Sequence, residues 1–251
     1  CQEAFLNISQ AEVDLPASQV SAAADEYYSR LIGSIPDDQF KKVRPLSDEA
    51  AIHGIPGEPY INSINKQGGG GVPMFKQKKM FLVPDPDNPD VLIWQSEVTK
   101  HIIWLEDKYS QHIVPGAIFA NHLKNEPRVL RDGFPKTARA FTGTPAAFSH
   151  LVRKYYLPVV NLFQKYGLPS EMAVGADACS ADWSELYTYI TRHGVHRMVA
   201  GDYKRYDKML PSMLLLRAFY IMYCVARHSG NYSARALRVM EGLAVDSAYP
   251  T

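Results

Sequence analysis

Between Arg197 and Pro211 the chain reads Arg-Met-Val-Ala-Gly-Asp-Tyr-Lys-Arg-Tyr-Asp-Lys-Met-Leu-Pro, and this stretch constrains the fold more than any other. Met198, Val199 and Ala200 form a short apolar run that reads as a buried strand. The chain then turns polar at Gly201 and presents Asp202 where that strand would end, which is where open α/β sheets keep their chemistry. Asp207 follows on the turn, so one carboxylate can hold a metal while the other lies about one bound ligand away. Leu210-Pro211 opens a helix, because proline tolerates the first turn and has no amide to lose there. A lone Asp-x4-Asp is also what an acidic turn capping a helix looks like, so the rest of the chain must decide.

The 251 residues, 46% of them hydrophobic, can build one large or two small globular domains. A formal net charge of +1 hides a segregation: Asn121 to Lys165 carries eight Lys or Arg against only Glu126 and Asp132. Local charge governs polyanion binding. Cys1, Cys179 and Cys224 are odd in number and widely spaced, which argues against a disulfide framework and a cysteine-based zinc site and predicts a reducing compartment. The most apolar run, Met213 to Ala226, is broken by Arg217 and too short to cross a bilayer, so no transmembrane segment is predicted. The absence of an initiator Met at Cys1 and of a polar tail at Thr251 predicts a piece of something longer.

Ala17 to Ile32 has helical spacing, with Val20, Ala24, Tyr27, Tyr28 and Leu31 on one face and Gly33 to Pro36 ending it. Pro45 to Gly54 reads as a short helix with Ser47 as N-cap and Gly54 at its end. Pro56 to Pro59 and Pro84 to Asp90 are turns. Val91 to Tyr109 reads as a packing helix with Trp94, Val98, Ile102 and Leu105 on one side, and Thr144 to Tyr166 as another, stopped by Gly167-Leu-Pro169.

Two blocks carry cations. In the first, Gly68 to Gly71 is followed by Val72-Pro73 and then Met74-Phe-Lys76-Gln-Lys78-Lys79; the glycines would expose backbone amides to a phosphate. A flexible linker is the plainer alternative, although Ser and Thr are missing from it. In the second, Lys124, Arg128, Arg131, Lys136 and Arg139 surround Gly133 and Pro135, which describes two extended arms joined by a turn. Arg suits forked contacts with phosphate oxygens and Lys a mobile point charge, while a solvated basic hairpin is the commoner fate of such runs. Farther on, Asp177 reads as a loop or cap residue. His193 and His196 read as surface or packing histidines, and Ser229-Gly230-Asn231 as a helix end.

In this order, the glycine loop, the basic hairpin, Gly175-Ala-Asp177 with Trp183 and the Asp202 to Pro211 stretch resemble the RNA-dependent RNA polymerases of picornavirus-like positive-strand RNA viruses. The resemblance runs from about Pro45 to about Gly242. Asp202 to Pro211 matches motif A. Lys124, Glu126 and Arg128 match the opening of motif F, and Lys136 and Arg139 its close, with Asn125 in place of the usual Asp. Gly71 and Pro73 match motif G, where Gly68 and Gly69 replace hydroxyl residues and Val72 replaces an aromatic. Neither a motif B nor the Gly-Asp-Asp of motif C occurs.

The resemblance implies an α+β right-hand polymerase fold in truncated form, without a thumb. Residues 1–148 would be fingers, with motif G at about 68–73 and motif F at about 124–141. Residues 149–251 would be the first part of the palm, with motif A at 202–211 and the Met213 to Ala226 helix packed under a partial sheet. It implies RNA-directed nucleotidyl transfer from a nucleoside triphosphate to an RNA 3'-hydroxyl by two-metal catalysis, with these residues insufficient by themselves for elongation. Asp202 would be the catalytic carboxylate and, with the backbone carbonyl of Tyr203, a ligand of Mg2+, or of Mn2+ in its place. Asp207 would select the ribose 2'-hydroxyl. Lys124, Arg128, Lys136 and Arg139 would hold the triphosphate, and Gly70, Gly71, Pro73, Lys76, Lys78 and Lys79 would follow the template RNA. Partners would be RNA template and primer, nucleoside triphosphates, and the remaining palm and thumb of the same polyprotein, in membrane-associated replication complexes of the host cytoplasm. The alternatives are a non-enzymatic RNA-binding module and an interaction domain with an incidental basic face. Asp207 speaks against a reverse transcriptase, which would place bulk where the ribose hydroxyl sits.

Overall fold

The computed structural model describes residues 15–250 apart from 126, 128, 129, 132, 133, 136–138, 204 and 205. It opens with helix α1 (Ala17–Ser34), a single turn α2 (Asp37–Phe40) and α3 (Asp48–His53). Ser47 caps α3 by accepting a hydrogen bond from the Ala50 amide, and Gly54 ends it at φ +74°, a region that favours glycine. The hairpin β1 (Leu82–Pro84) and β2 (Leu92–Trp94) leads into α4 (Ser96–Ser110). The expected helix over Val91 to Tyr109 therefore starts later than its spacing predicts. Leu92 to Trp94 pair with Leu82 to Pro84 instead, because cross-strand hydrogen bonds and the Trp94 contact below override the helical register there.

The basic block forms the two extended arms that the turn residues predict. Strand β3 (Ala120–Leu123) pairs with β6 (Ala140–Gly143), and farther out β4 (Leu130–Arg131) pairs with β5 (Phe134–Pro135), both antiparallel. Helices α5 (Ala146–Lys165), α6 (Ala181–Ile190), the single turn α7 (Tyr206–Met209), α8 (Ser212–Ser229) and α9 (Ala234–Ala248) complete the order. Pro211 precedes α8, and Gly230 at φ +73° closes it.

One core gathers most of these elements. Helix α9 packs on α4, α5 and α8, α5 also touches α3 and α4, and α1 lies on α8. Leu31, Val98, Leu105, Leu151, Val159, Val225, Val239 and Leu243 are fully or almost fully buried in it. Helix α8 was expected under a palm sheet; it packs among helices instead. The stretch from Met198 to Ala200 also departs from its expected form: it makes no strand, and Val199 is 98% exposed. The described strands pair only within their own hairpins, which leaves this run no neighbour to take its backbone hydrogen bonds.

A polar cluster pins α3, β2 and α5 together. The Trp94 indole donates to His150 Nδ1 at 3.1 Å, and because an indole can only donate, that nitrogen must accept. The proton on Nε2 then faces Asp48 Oδ1 at 3.0 Å, where Lys154 also reaches the carboxylate, while His150 itself is wholly buried. The hydrogen bond from His150 and the Lys154 cation hold the Asp48 carboxyl well below the usual carboxylate range. Its folded value lies below its unfolded one. The stabilisation is thus complete above about pH 4 and fades as pH falls below that. Thermal melts from neutral to acidic pH should show Asp48→Asn less stable near neutrality but with a flatter acid limb; parallel limbs for the two proteins would contradict this network.

Candidate functional site

The glycine loop is a built turn and not a linker. Gly69 bridges to Gln77, the Gly70 amide donates to the Lys76 carbonyl at 2.6 Å, and the Lys78 amide donates to the Gly68 carbonyl at 2.9 Å. The expectation of open amides fails at Gly68 and Gly70, which donate to Asn65 and Lys76, and both Gly70 and Gly71 are buried, whereas Gly69 is exposed. At those two positions local closure satisfies the amide before any phosphate can. Gly71 sits at φ +70°, and a Cβ on it would stand 2.7 Å from the Thr144 carbonyl carbon and 2.8 Å from Pro145 Cα. Only glycine fits.

That close approach joins the loop to the root of the hairpin. The Gly70 carbonyl accepts the Ala146 amide at 2.7 Å, three residues past the end of β6, and Thr144 in turn meets Ser149 through their hydroxyls at 2.6 Å. Among the loop's cations, Lys76 and Lys79 are exposed. Lys78 turns inward: its Nζ donates to the Gly69 carbonyl at 2.8 Å and burial lowers its pKa, so it braces the loop. Pro73 is exposed, and so is Phe75, which nothing in the spacing marks out. Its available signal was an aromatic between a proline and a lysine.

On the hairpin, the Lys124 amide donates to the Arg139 carbonyl at 2.7 Å, which continues the β3–β6 register by one pair. Directly opposite residues share a face with Cβ atoms about 5 Å apart, so the two cationic side chains emerge together. Both are exposed. Arg128 and Lys136 lie outside the described residues.

Asp202 and Tyr203 are exposed in the open stretch that follows α6, with the Tyr203 ring 5.2 Å from that of Tyr206. Asp207 falls in the short turn α7, which the Leu210 amide closes on the Tyr206 carbonyl at 3.0 Å. An accessible carboxylate beside a backbone carbonyl is an all-oxygen donor pair, which suits a hard cation such as Mg2+ better than a soft one. Among the described residues no three His, Cys, Asp or Glu side chains converge as a ready-made metal cluster. His193 and His196 are exposed. Asp177 serves its own loop by accepting the Cys179 amide at 2.9 Å, and Asn231 ties the end of α8 to the Lys41 and Val43 carbonyls. Cys179 and Cys224 are free thiols, and no helix among the described residues is long and apolar enough to cross a membrane.

The segment from α6 to Asp202 leaves apolar side chains uncovered: helix α6 has no buried residue, and Trp183, Tyr187, Ile190, Met198 and Tyr203 are all exposed. A surface of this kind marks an interaction site.

Comparison with known proteins gives a consistent result. The family model described as "Viral RNA-dependent RNA polymerase" matches residues 11–237. The chain is 25% identical over 179 residues to the replicase polyprotein of Cricket paralysis virus, covering 69% of the chain and 10% of the polyprotein. With the genome polyprotein of Deformed wing virus it shares 28% identity over 192 residues, covering 72% of the chain and 6% of the polyprotein. It superimposes on the Sicinivirus 3Dpol RNA-dependent RNA polymerase with a TM-score of 0.67 and 17% identity, over 96% of this chain and 47% of that one. The chain thus spans a tenth or less of the polyproteins and about half of the solved polymerase. The chain, with its mixed helices and small sheets, thus has an α+β fold shared with about half of that solved structure.

Proposed function

Since the chain belongs to the family of viral RNA-dependent RNA polymerases, we propose that it supplies the fingers and the first part of the palm to an enzyme that extends RNA from nucleoside triphosphates. The observation that carries this reading is the family match over residues 11–237, which spans the loop, the hairpin and the Asp202 to Asp207 stretch together. Residues up to 148 would be fingers and those from 149 palm. The remaining palm and thumb would come from the same polyprotein and cover the apolar surface around α6.

In this reading Lys124 and Arg139, side by side on the hairpin, bind the triphosphate with Arg128 and Lys136, and neutralise charge as pyrophosphate leaves. Asp202 and the Tyr203 carbonyl hold a divalent cation, Mg2+ or Mn2+, in the completed palm. When bound, that ion supplies Lewis-acid stabilisation of phosphoryl charge. Pro73, Lys76 and Lys79 line the template, while Gly70, Gly71 and Lys78 shape the loop that presents them. The enzyme would work in membrane-associated replication complexes of the host cytoplasm.

Asp207 would accept a hydrogen bond from the ribose 2'-hydroxyl of the incoming nucleotide. A hydrogen bond to a charged group contributes about 1.5–3 kcal/mol, so Asp207→Ala in the complete polymerase should reduce the preference for ribonucleotides over deoxyribonucleotides by roughly tenfold to a hundredfold. Single-nucleotide incorporation with the paired substrates reads this ratio. An unchanged ratio alongside a lower rate would remove Asp207 from sugar selection.

A further inference from the structure

Phe75 sits in the left-handed region at φ +50° and is 66% exposed. A bulky residue rarely adopts that backbone conformation, and strain of this kind persists only where the surroundings enforce it. Here they do. The Phe75 amide donates to the Gly71 carbonyl at 2.8 Å, the Lys76 amide to the Met74 carbonyl at 2.7 Å, and the Gly70 amide to the Lys76 carbonyl, while Gly71 is wedged against Thr144. Alternate residues divide their roles: Val72 and Met74 are half-buried, with Met74 packed on the core, whereas Pro73 and Phe75 point outward. The ring therefore returns little packing for the strain that displays it.

The segment that carries the ring is cationic: Lys76 follows it directly, Lys79 comes three residues later, both are exposed, and no acidic residue occurs in the sequence between Lys66 and Asp85. An exposed aromatic ring fixed in a lysine-rich segment is how proteins grip single-stranded nucleic acid without reading its sequence: the cations follow the phosphates and a base stacks on the ring. We propose that Phe75 is a stacking platform for one unpaired base of the template strand. This rests on the reading that the loop follows template RNA, and it adds a residue and a mode of contact to that reading. Because every base has a π-face, the contact would be indifferent to template sequence.

The test measures binding of a fluorescein-labelled oligouridine to the complete polymerase by anisotropy across a salt series. Phe75→Asn removes the ring with a residue that tolerates positive φ, so the loop keeps its shape; Phe75→Tyr keeps the ring. Loss of one stacked base should weaken binding between about fivefold and a hundredfold, with an unchanged salt slope for Phe75→Asn and affinity within about twofold of the parent for Phe75→Tyr. Lys76→Ala and Lys79→Ala should each lower the salt slope by about 0.7, the increment for one phosphate contact on a single strand. If the lysine variants lose affinity and Phe75→Asn does not, stacking is overturned while the template loop stands. If neither class has any effect, the template reading of the loop falls and stacking with it.

Discussion

In the complete polymerase, Asp202→Ala should lower template-directed nucleotide incorporation by about three orders of magnitude or more, while RNA affinity stays within about twofold of the parent. The two quantities separate because they draw on different groups. Affinity comes from cations meeting phosphates, and the glycine loop and the hairpin expose Lys76, Lys79, Lys124 and Arg139 for that purpose. Rate depends on stabilising phosphoryl charge at the reacting centre, where a bound divalent ion contributes several kcal/mol and each 1.36 kcal/mol corresponds to tenfold. Asp202 is exposed beside the Tyr203 carbonyl, in the place expected to hold that ion. Asp202→Asn should be nearly as damaging, since it keeps the shape and removes the charge. A primer-extension assay with single-turnover rates would decide; a variant retaining a tenth of the parent rate would remove Asp202 from the catalytic set. A parent protein that binds RNA in a salt-dependent way but never incorporates, with or without a divalent ion, would favour the RNA-binding module.

Gly242→Ala should destabilise the fold by about 2–4 kcal/mol, against what helix propensity alone predicts. Alanine in a helix interior is ordinarily better than glycine by about 0.5–1 kcal/mol. At this position, within α9, a Cβ would stand 2.7 Å from Cγ and 2.8 Å from Cβ of Tyr109. Tyr109 has no room to give way. It is wholly buried, and its hydroxyl donates to the buried Asp246 carboxylate, which also accepts the Ala117 amide at 3.2 Å. Overpacking costs about 1–3 kcal/mol, and disturbing a buried acceptor adds about 1–3 more. These outweigh the propensity gain. For a chain of this size the melting temperature should fall by roughly 5–15 °C. Gly33→Ala in α1 is the control: no atom lies within 4 Å of a Cβ there, so that change should be neutral or stabilising. Equal behaviour of the two variants would show that α9 does not lock onto α4 through Tyr109.

The parts of the fold legible in the residues are those with local causes. Ser47 and Gly54 bracket α3, Gly230 closes α8 and Pro211 opens it, because caps act within one turn. The stripes of α1 and α5 follow from 3.6-residue spacing. The hairpin follows from extended arms around a Gly and Pro turn, and its register brings Lys124 opposite Arg139. The unread parts depend on partners far away in the chain. Trp94 left the expected helix because Leu82 to Pro84 and His150 claim it. Met198 to Ala200 have the composition of a strand, but a strand also needs a neighbour, and among the described residues none lies beside them. The loop's four glycines announced close approach, but not that they would approach Thr144 and hold Phe75 outward.

By itself, then, the order of residues determined the type of most elements, the capping of the helices and the family of the chain, since period, caps and motif chemistry act over a few positions. Tertiary structure alone decided that Gly71 wedges against Thr144, that Phe75 is displayed in a left-handed turn, and that Gly242 receives the Tyr109 ring. The Gly71 and Gly242 contacts join residues tens to more than a hundred positions apart, the first of them anchors the loop that turns Phe75 outward, and close packing leaves one arrangement where local preference would allow several.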